Sequence, residues 1–233
     1  MNEEGKSKEE LNLQIRTNFL IKLKSLLPNN PMCVEVGVAG GHFSKVIKNR
    51  LNPSRLHLID PWEIGSDKNG KQSHYGGELS HMATAHSSES QYLRLQKVFS
   101  EEISSKRVVL HRGYSYDFAS SFNDEYFDFI YIDACHLYDC VKADLEMFLP
   151  KLKKQGLMCG HDYFEDRRGS NFGVIKAVDE FCEKYDFEMI ILSDRKDWCL
   201  RKKQSDEYKR GYIDGLINAR KMLNKEIKVF EDV

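Results

Sequence analysis

Apolar positions change period along the chain, and the periods predict its elements. Leu11, Ile15, Phe19, Leu23 and Leu26 recur at three- and four-residue steps, predicting an amphipathic helix within the first thirty residues, stopped by Pro28. Met32–Val36 is a strand-length apolar run; a glycine-rich turn follows, then Phe43, Val46 and Ile47 on one helical face. Residues 56–60 make a second strand, closed by Pro61. Between 63 and 90 the rhythm breaks around Gly65, Gly70, Gly76 and Gly77, which reads as a loop and cap before a helix at 89–102.

Strands at 108–111 and 127–133 come next, and Tyr138, Val141, Leu145 and Phe148 mark the helix that returns across the sheet. Pro150 and Gly156 delimit a turn into a fifth strand at 157–160. Val174, Ile175, Val178, Phe181 and Cys182 form another helical stripe. Phe187–Leu192 and 197–200, joined by Ser193-Asp194-Arg195-Lys196, read as a hairpin. In the charged tail, Tyr212, Ile213, Leu216, Ile217 and Leu223 predict a terminal helix. The alternation predicts an α/β fold with a mainly parallel sheet, helices on both faces and one antiparallel strand near its edge. The expected organisation is a helical segment at 1–30, a core domain at 31–202 with a substrate loop and cap at 63–102, and a C-terminal helix at 203–233.

Composition narrows the function. With 233 residues and 41% apolar content the chain can bury one core, and a net charge of −1 offers no general attraction to nucleic acid or an acidic membrane. No apolar run approaches a membrane span, and the six cysteines, without a C-x-x-C pair, fit a reducing cytoplasm. Both terminal helices are candidate surfaces for a homo-oligomer.

Chemistry concentrates at strand ends. Glu35-Val36-Gly37-Val38-Ala39-Gly40-Gly41 follows a strand and opens a helix, so its backbone can approach a nucleotide-like ligand. An NAD fingerprint wants G-x-G-x-x-G, whereas Ala39 and His42 stand at its second and third glycine positions. Asp60 ends the second strand about twenty residues on, where a carboxylate can accept from ribose hydroxyls. Asp133 and Asp162 end the fourth and fifth strands; as sheet neighbours they could share one divalent cation such as Mg²⁺. His136 suits a general base, against the alternative of a helix-capping histidine. His161 is either a metal ligand or a support that orients Asp162. His74, His81 and His86 lack compact ligand spacing and read as surface or substrate-loop residues, and Trp62, Tyr75 and Tyr92 either line an acceptor pocket or pack in the core.

The turn resembles that of the class I S-adenosylmethionine (SAM) dependent methyltransferases, whose first motif is an acid, x, Gly, three residues, Gly: here Glu35, Gly37 and Gly41. Beyond residue 110 the chain is similar to small-molecule O-methyltransferases of the sugar and macrolide type, through Asp133, His136 and Tyr138, then Gly160-His161-Asp162-Tyr163. The resemblance implies a Rossmann-like seven-stranded sheet and SAM held by Glu35, Gly37, Ala39, Gly41, Asp60, Ser115 and Asp133. It further implies His136 and Asp133 as catalytic residues, a cation on Asp133, Asp162 and His161, and a sugar, glycoside or related hydroxyl as acceptor. The family's Gly-Asp-Ser is Gly113-Tyr114-Ser115 here, which leaves the Ser115 hydroxyl as the candidate on the adenine side and Tyr114 as either a contact or a packed aromatic. The alternatives are a metal-independent N-methyltransferase of a small amine, a nucleotide-dependent oxidoreductase and a non-catalytic protein on this fold.

Overall fold

The computed structural model describes residues 8–62, 89–164, 172–194 and 196–204. The described residues up to Arg201 belong to one compact unit; a second begins at Lys202. The unit contains α1 (Lys8–Lys24), β1 (Met32–Val36), α2 (His42–Leu51), β2 (Arg55–Asp60), α3 (Glu89–Val98), α4 (Ser100–Ser104), β3 (Val108–Arg112) and α5 (Ser115–Ala119). It continues through β4 (Phe127–Ile132), α6 (Tyr138–Phe148), β5 (Leu152–Gly160), α7 (Val174–Tyr185), β6 (Phe187–Leu192) and β7 (Trp198–Lys202).

The strands make one seven-stranded sheet in the order β3-β2-β1-β4-β5-β7-β6. The β1 to β5 pairings are parallel, and β7 runs antiparallel to β5. The order reverses between β1 and β4, and it is beside such a reversal, at the carboxyl ends of the strands, that sheets of this kind bind ligands. Period two along the strands sorts side chains to opposite faces. Leu56, Leu58, Phe129, Tyr131, Leu157 and Cys159 join Phe19, Leu20 and Leu23 of α1 and Phe43 and Ile47 of α2 in one core cluster. Val34, Val36, Ile59, Ile130, Ile132 and Met158 join Val141, Leu145 and Phe148 of α6 and Val178 and Phe181 of α7 in the other. Every residue of β4 is buried, as a central strand covered on both faces must be.

The structure corrects four boundaries. The first helix ends at Lys24, which leaves Leu26 exposed beyond it. The single helix expected over 89–102 is two, because Phe99 leaves helical geometry (φ −105°, ψ 22°) while its ring stays buried. The fifth strand starts at Leu152: a register irregularity between Phe127 and Phe129 lets Lys153, Lys154 and Gln155 bulge within it, where their polarity reads as a turn. In the hairpin, the second strand begins at Trp198, and Asp197 belongs to the turn. The terminal helix, His74, Tyr75, His81 and His86 lie outside the described residues.

Candidate active site

Glu35 is the penultimate residue of β1 and fully buried, accepting a hydrogen bond from Ser44 Oγ on α2. Burial pushes its carboxyl up to about 8, against the Ser44 bond that pulls the other way. The chain then turns through Gly37 and Gly41, both in the left-handed region (φ 87° and 70°). At Gly37 the requirement is also spatial, since a Cβ there would lie 2.2 Å from the Asp133 carbonyl oxygen and 2.6 Å from Ala134 Cα. The cofactor-type turn and the loop after β4 therefore touch, backbone to backbone, with Asp133 N donating to Val36 O at 2.8 Å.

Asp60 braces this turn. Its Oδ2 accepts from the amides of Val38 and Ala39, each at 2.9 Å, and Oδ1 accepts from Trp62 N at 2.9 Å. Three of about four lone-pair positions are thus committed to backbone. Trp62 is buried, donates from Nε1 to Ala39 O at 3.0 Å and packs on Tyr92, so the packing alternative holds for that indole. Ser115 points its hydroxyl to Asp144 Oδ1 of α6 at 2.5 Å, while Tyr114 stacks on Tyr116.

At the neighbouring strand ends, β4 and β5 bring Asp133 and Asp162 together. Gly160, paired with Ile132, makes the approach possible: a Cβ would stand 2.5 Å from Ile132 O and 2.3 Å from Trp198 Cζ2. Asp162 itself takes φ 60°, a conformation L-residues adopt rarely and one that aims its carboxylate back toward the edge. His136 Nε2 stands 2.7 Å from Asp162 Oδ2, and His161 Nδ1 stands 3.0 Å from Asp162 Oδ1. Asp133 Oδ1 is 4.0 Å from His136 Nε2 and 3.8 Å from His161 Nδ1. Burial opposes a charged His136, yet the Asp133 and Asp162 carboxylates outweigh it and hold the imidazolium up to about 10. Burial likewise opposes ionisation of Asp162, and the two imidazoles overcome it, holding that carboxyl well below its usual range.

The His136 ring stacks on Phe172 (centroids 4.8 Å apart), its carbonyl accepts from Gly173 N at 2.9 Å, and Phe172 also meets Phe164 at 5.3 Å. The motif tyrosines serve as struts. Tyr138 OH donates to Glu180, and Tyr163 OH donates to Asp179, both on α7.

Asp133, His136 and Asp162 each present a ligand atom, all within 4.8 Å of one another. Two carboxylate oxygens and one imidazole nitrogen fit a divalent cation that keeps waters in its remaining positions. The sequence expectation paired the two aspartates with His161; the geometry selects His136 for the compact set and leaves His161 bonded to Asp162.

Sequence reasoning missed Arg16, Tyr131 and Asp197. Arg16 on α1 forms an ion pair with Asp133 Oδ2 at 2.8 Å, and Tyr131 and the buried Asp197 complete its surroundings. An arginine inside a mixed polar and apolar helix carries no sequence mark of this role.

Comparison with known proteins agrees with this fold. Residues 34–163 match the family model described as "Methyltransferase domain". The fold is similar to that of the O-methyltransferase NovP (TM-score 0.58, 17% identity, 82% of this chain and 80% of that one). It is also similar to CalS11, a TDP-rhamnose 3'-O-methyltransferase (TM-score 0.55, 16% identity, 85% and 82%), and to a Corynebacterium glutamicum protein (TM-score 0.57, 15% identity, 87% and 84%). A curated relative, uncharacterized protein y4gI of Sinorhizobium fredii, is 30% identical over 120 residues, half of this chain; the aligned part spans 11% of that relative's length. Carrying the acid–glycine turn and the seven-stranded sheet with its antiparallel insertion, the chain belongs to the methyltransferase domain family, within the class I SAM-dependent methyltransferases.

Proposed function

We propose that the protein transfers the SAM methyl group to a hydroxyl of a small molecule, a sugar, glycoside or related alcohol. The single observation that carries this reading is the contact between the Gly37 turn and Asp133, which sets a cofactor-type turn directly beside the Asp133, His136 and Asp162 cluster. Family membership favours this chemistry over the nucleotide-dependent oxidoreductase. The acceptor class rests on the motif resemblance.

In this reading Gly37, Ala39 and Gly41 receive the cofactor along the backbone of their turn, Glu35 supports the turn through Ser44, and Asp60 offers its remaining acceptor capacity to the ribose. Ser115 stands on the adenine side through its main chain, its hydroxyl being committed to Asp144. The acceptor oxygen attacks the sulfonium methyl in line, the carbon–sulfur bond breaks, and sulfur keeps the electron pair, leaving S-adenosylhomocysteine. The acceptor proton goes to His136 Nε2, which must first give up its own. That becomes favourable when the charges on Asp133 and Asp162 are neutralised. A divalent ion such as Mg²⁺, held by Asp133 and Asp162 with His161 in support, would supply a Lewis acid at the acceptor oxygen and leave the His136 Nε2 lone pair for the proton.

The metal-independent N-methyltransferase keeps one observation in its favour: Asp133 already carries a resident cation in Arg16. The two readings separate by calorimetric titration with SAM, with and without Mg²⁺, followed by a screen of hydroxylated and amine acceptors. Asp133→Asn and Asp162→Asn are expected to retain SAM affinity and lose turnover on hydroxyl acceptors. Chelator-insensitive turnover of amines alone would overturn the hydroxyl assignment. A cytoplasmic setting completes the proposal, together with a homo-oligomer through the terminal helices, to which the exposed Leu13 and Ile21 on α1 would contribute.

A further inference from the structure

Arg16 lies outside residues 34–163, the span the family model matches, yet its guanidinium reaches the transfer site. Its Nη2 donates to Tyr131 OH at 2.6 Å and to Asp133 Oδ2 at 2.8 Å, and its Nε donates to Asp197 Oδ1 at 3.2 Å. The planar group lies over the Phe43 ring, 3.8 Å from its centroid, which fixes its tilt. Tyr131 OH donates onward to Asp197 Oδ1 at 2.6 Å, and Ser193 Oγ donates to Asp197 Oδ2 at 2.8 Å. Asp197 is fully buried, so its carboxylate is a fixed anchor. One Asp133 oxygen is thereby consumed. The other, Oδ1, faces His136 and His161 at 4.0 and 3.8 Å, beyond hydrogen-bond reach, and is the oxygen left to a ligand.

We propose that Arg16 is a positioning residue of the methyl-transfer site, fixing Asp133 so that Oδ1 faces the cation position and setting a permanent positive charge against that position. The inference rests on the metal-assisted reading above. Its consequence is that a divalent ion binds weakly and exchanges readily, because the guanidinium competes for the same carboxylate and repels the ion at close range. Tight binding would require loss of the Arg16 charge. Lysine keeps the charge but not the fork, so it should preserve the repulsion while loosening the geometry.

The test is Mn²⁺ titration followed by the paramagnetic resonance of free ion, with S-adenosylhomocysteine affinity measured in parallel by calorimetry. Arg16→Gln is expected to bind Mn²⁺ about tenfold tighter than the unaltered protein, and Arg16→Lys to stay within about threefold of it. Asp197→Asn should act in the opposite sense, weakening Mn²⁺ binding, since it removes the anion that shares the Arg16 charge. It also decides the matter if Arg16→Gln does not fold. Unchanged or weaker Mn²⁺ binding by a folded Arg16→Gln, unchanged or tighter binding by Asp197→Asn, or no Mn²⁺ binding by any variant at millimolar ion overturns the proposal. Failure of the unaltered protein to bind S-adenosylhomocysteine would instead sink the methyltransferase reading, while the Mn²⁺ comparison still decides the role of Arg16.

Discussion

His136 keeps its proton at neutral pH because two carboxylates face it, and a methyl transfer that needs a base must first relax that grip. Replacing it separates binding from chemistry: His136→Asn is expected to leave SAM affinity within about twofold and to lower turnover by roughly 10²–10⁴-fold, the usual span for losing a positioned acid–base group. Paired calorimetry and steady-state rates measure both. Asp133 and Asp162 were legible because acids recur at strand ends, where a parallel sheet delivers side chains to a shared edge, whereas His136 was singled out by the motif resemblance. Asp60 was legible as an important acid, although its bonds to Val38 and Ala39 are a matter of loop geometry that no spacing encodes. Ser115 kept its type but turned to Asp144, a partner on a helix that local pattern cannot associate with it.

Among the elements, the paired ends of β1, β4 and β5 decide whether the site exists. Gly37→Ala would force a Cβ into the Asp133 backbone from an unfavourable φ, and Gly160→Ala would drive one against Ile132 O and the Trp198 ring. Each is expected to cost about 2 kcal/mol or more in urea unfolding, and Gly37→Ala also to weaken SAM binding. Unaltered stability in both would show that the strand ends can separate freely. The strands themselves were readable as apolar runs bounded by turns. Their edges were harder: Lys153, Lys154 and Gln155 look like a loop because the bulge in β5 turns them outward, and the break at Phe99 interrupts a periodicity that continues across it. Arg16 shows the limit most clearly, since its partners on β4 and the β6–β7 turn are remote in sequence and only tertiary packing brings them to α1.

For the molecule as a whole, two sets of histidines shape stability against pH. On β2 and β3, His57 Nδ1 and His111 Nε2 lie 2.8 Å apart among Phe122, Tyr126 and Phe127; burial, then the charge of the neighbouring imidazole, pulls His57 down to about 3. A depressed folded value means that the unfolded chain binds the proton first. The contribution of His57 is therefore intact above its ordinary value of about 6.5 and is lost as pH falls toward about 3, roughly 2 kcal/mol by pH 5. His136 works in the other direction: its raised value stabilises fully below about 6.5, and the contribution is lost as pH rises through about 10. Together with Glu35, whose raised value costs stability as pH climbs from about 4.5 to about 8, they predict a stability maximum between about pH 4.5 and 6.5. Thermal midpoints measured from pH 4 to 10 should fall on both sides of it, with His57→Asn flattening the acid limb and His136→Asn the alkaline one. Among the described residues no helix is long and apolar enough to cross a membrane.

Phe172 lies between the Phe164 ring and the His136 imidazole, in contact with both. The tilt of the imidazole is thus held by aromatic packing as well as by carboxylates, so the loss of either brace alone leaves the other in place.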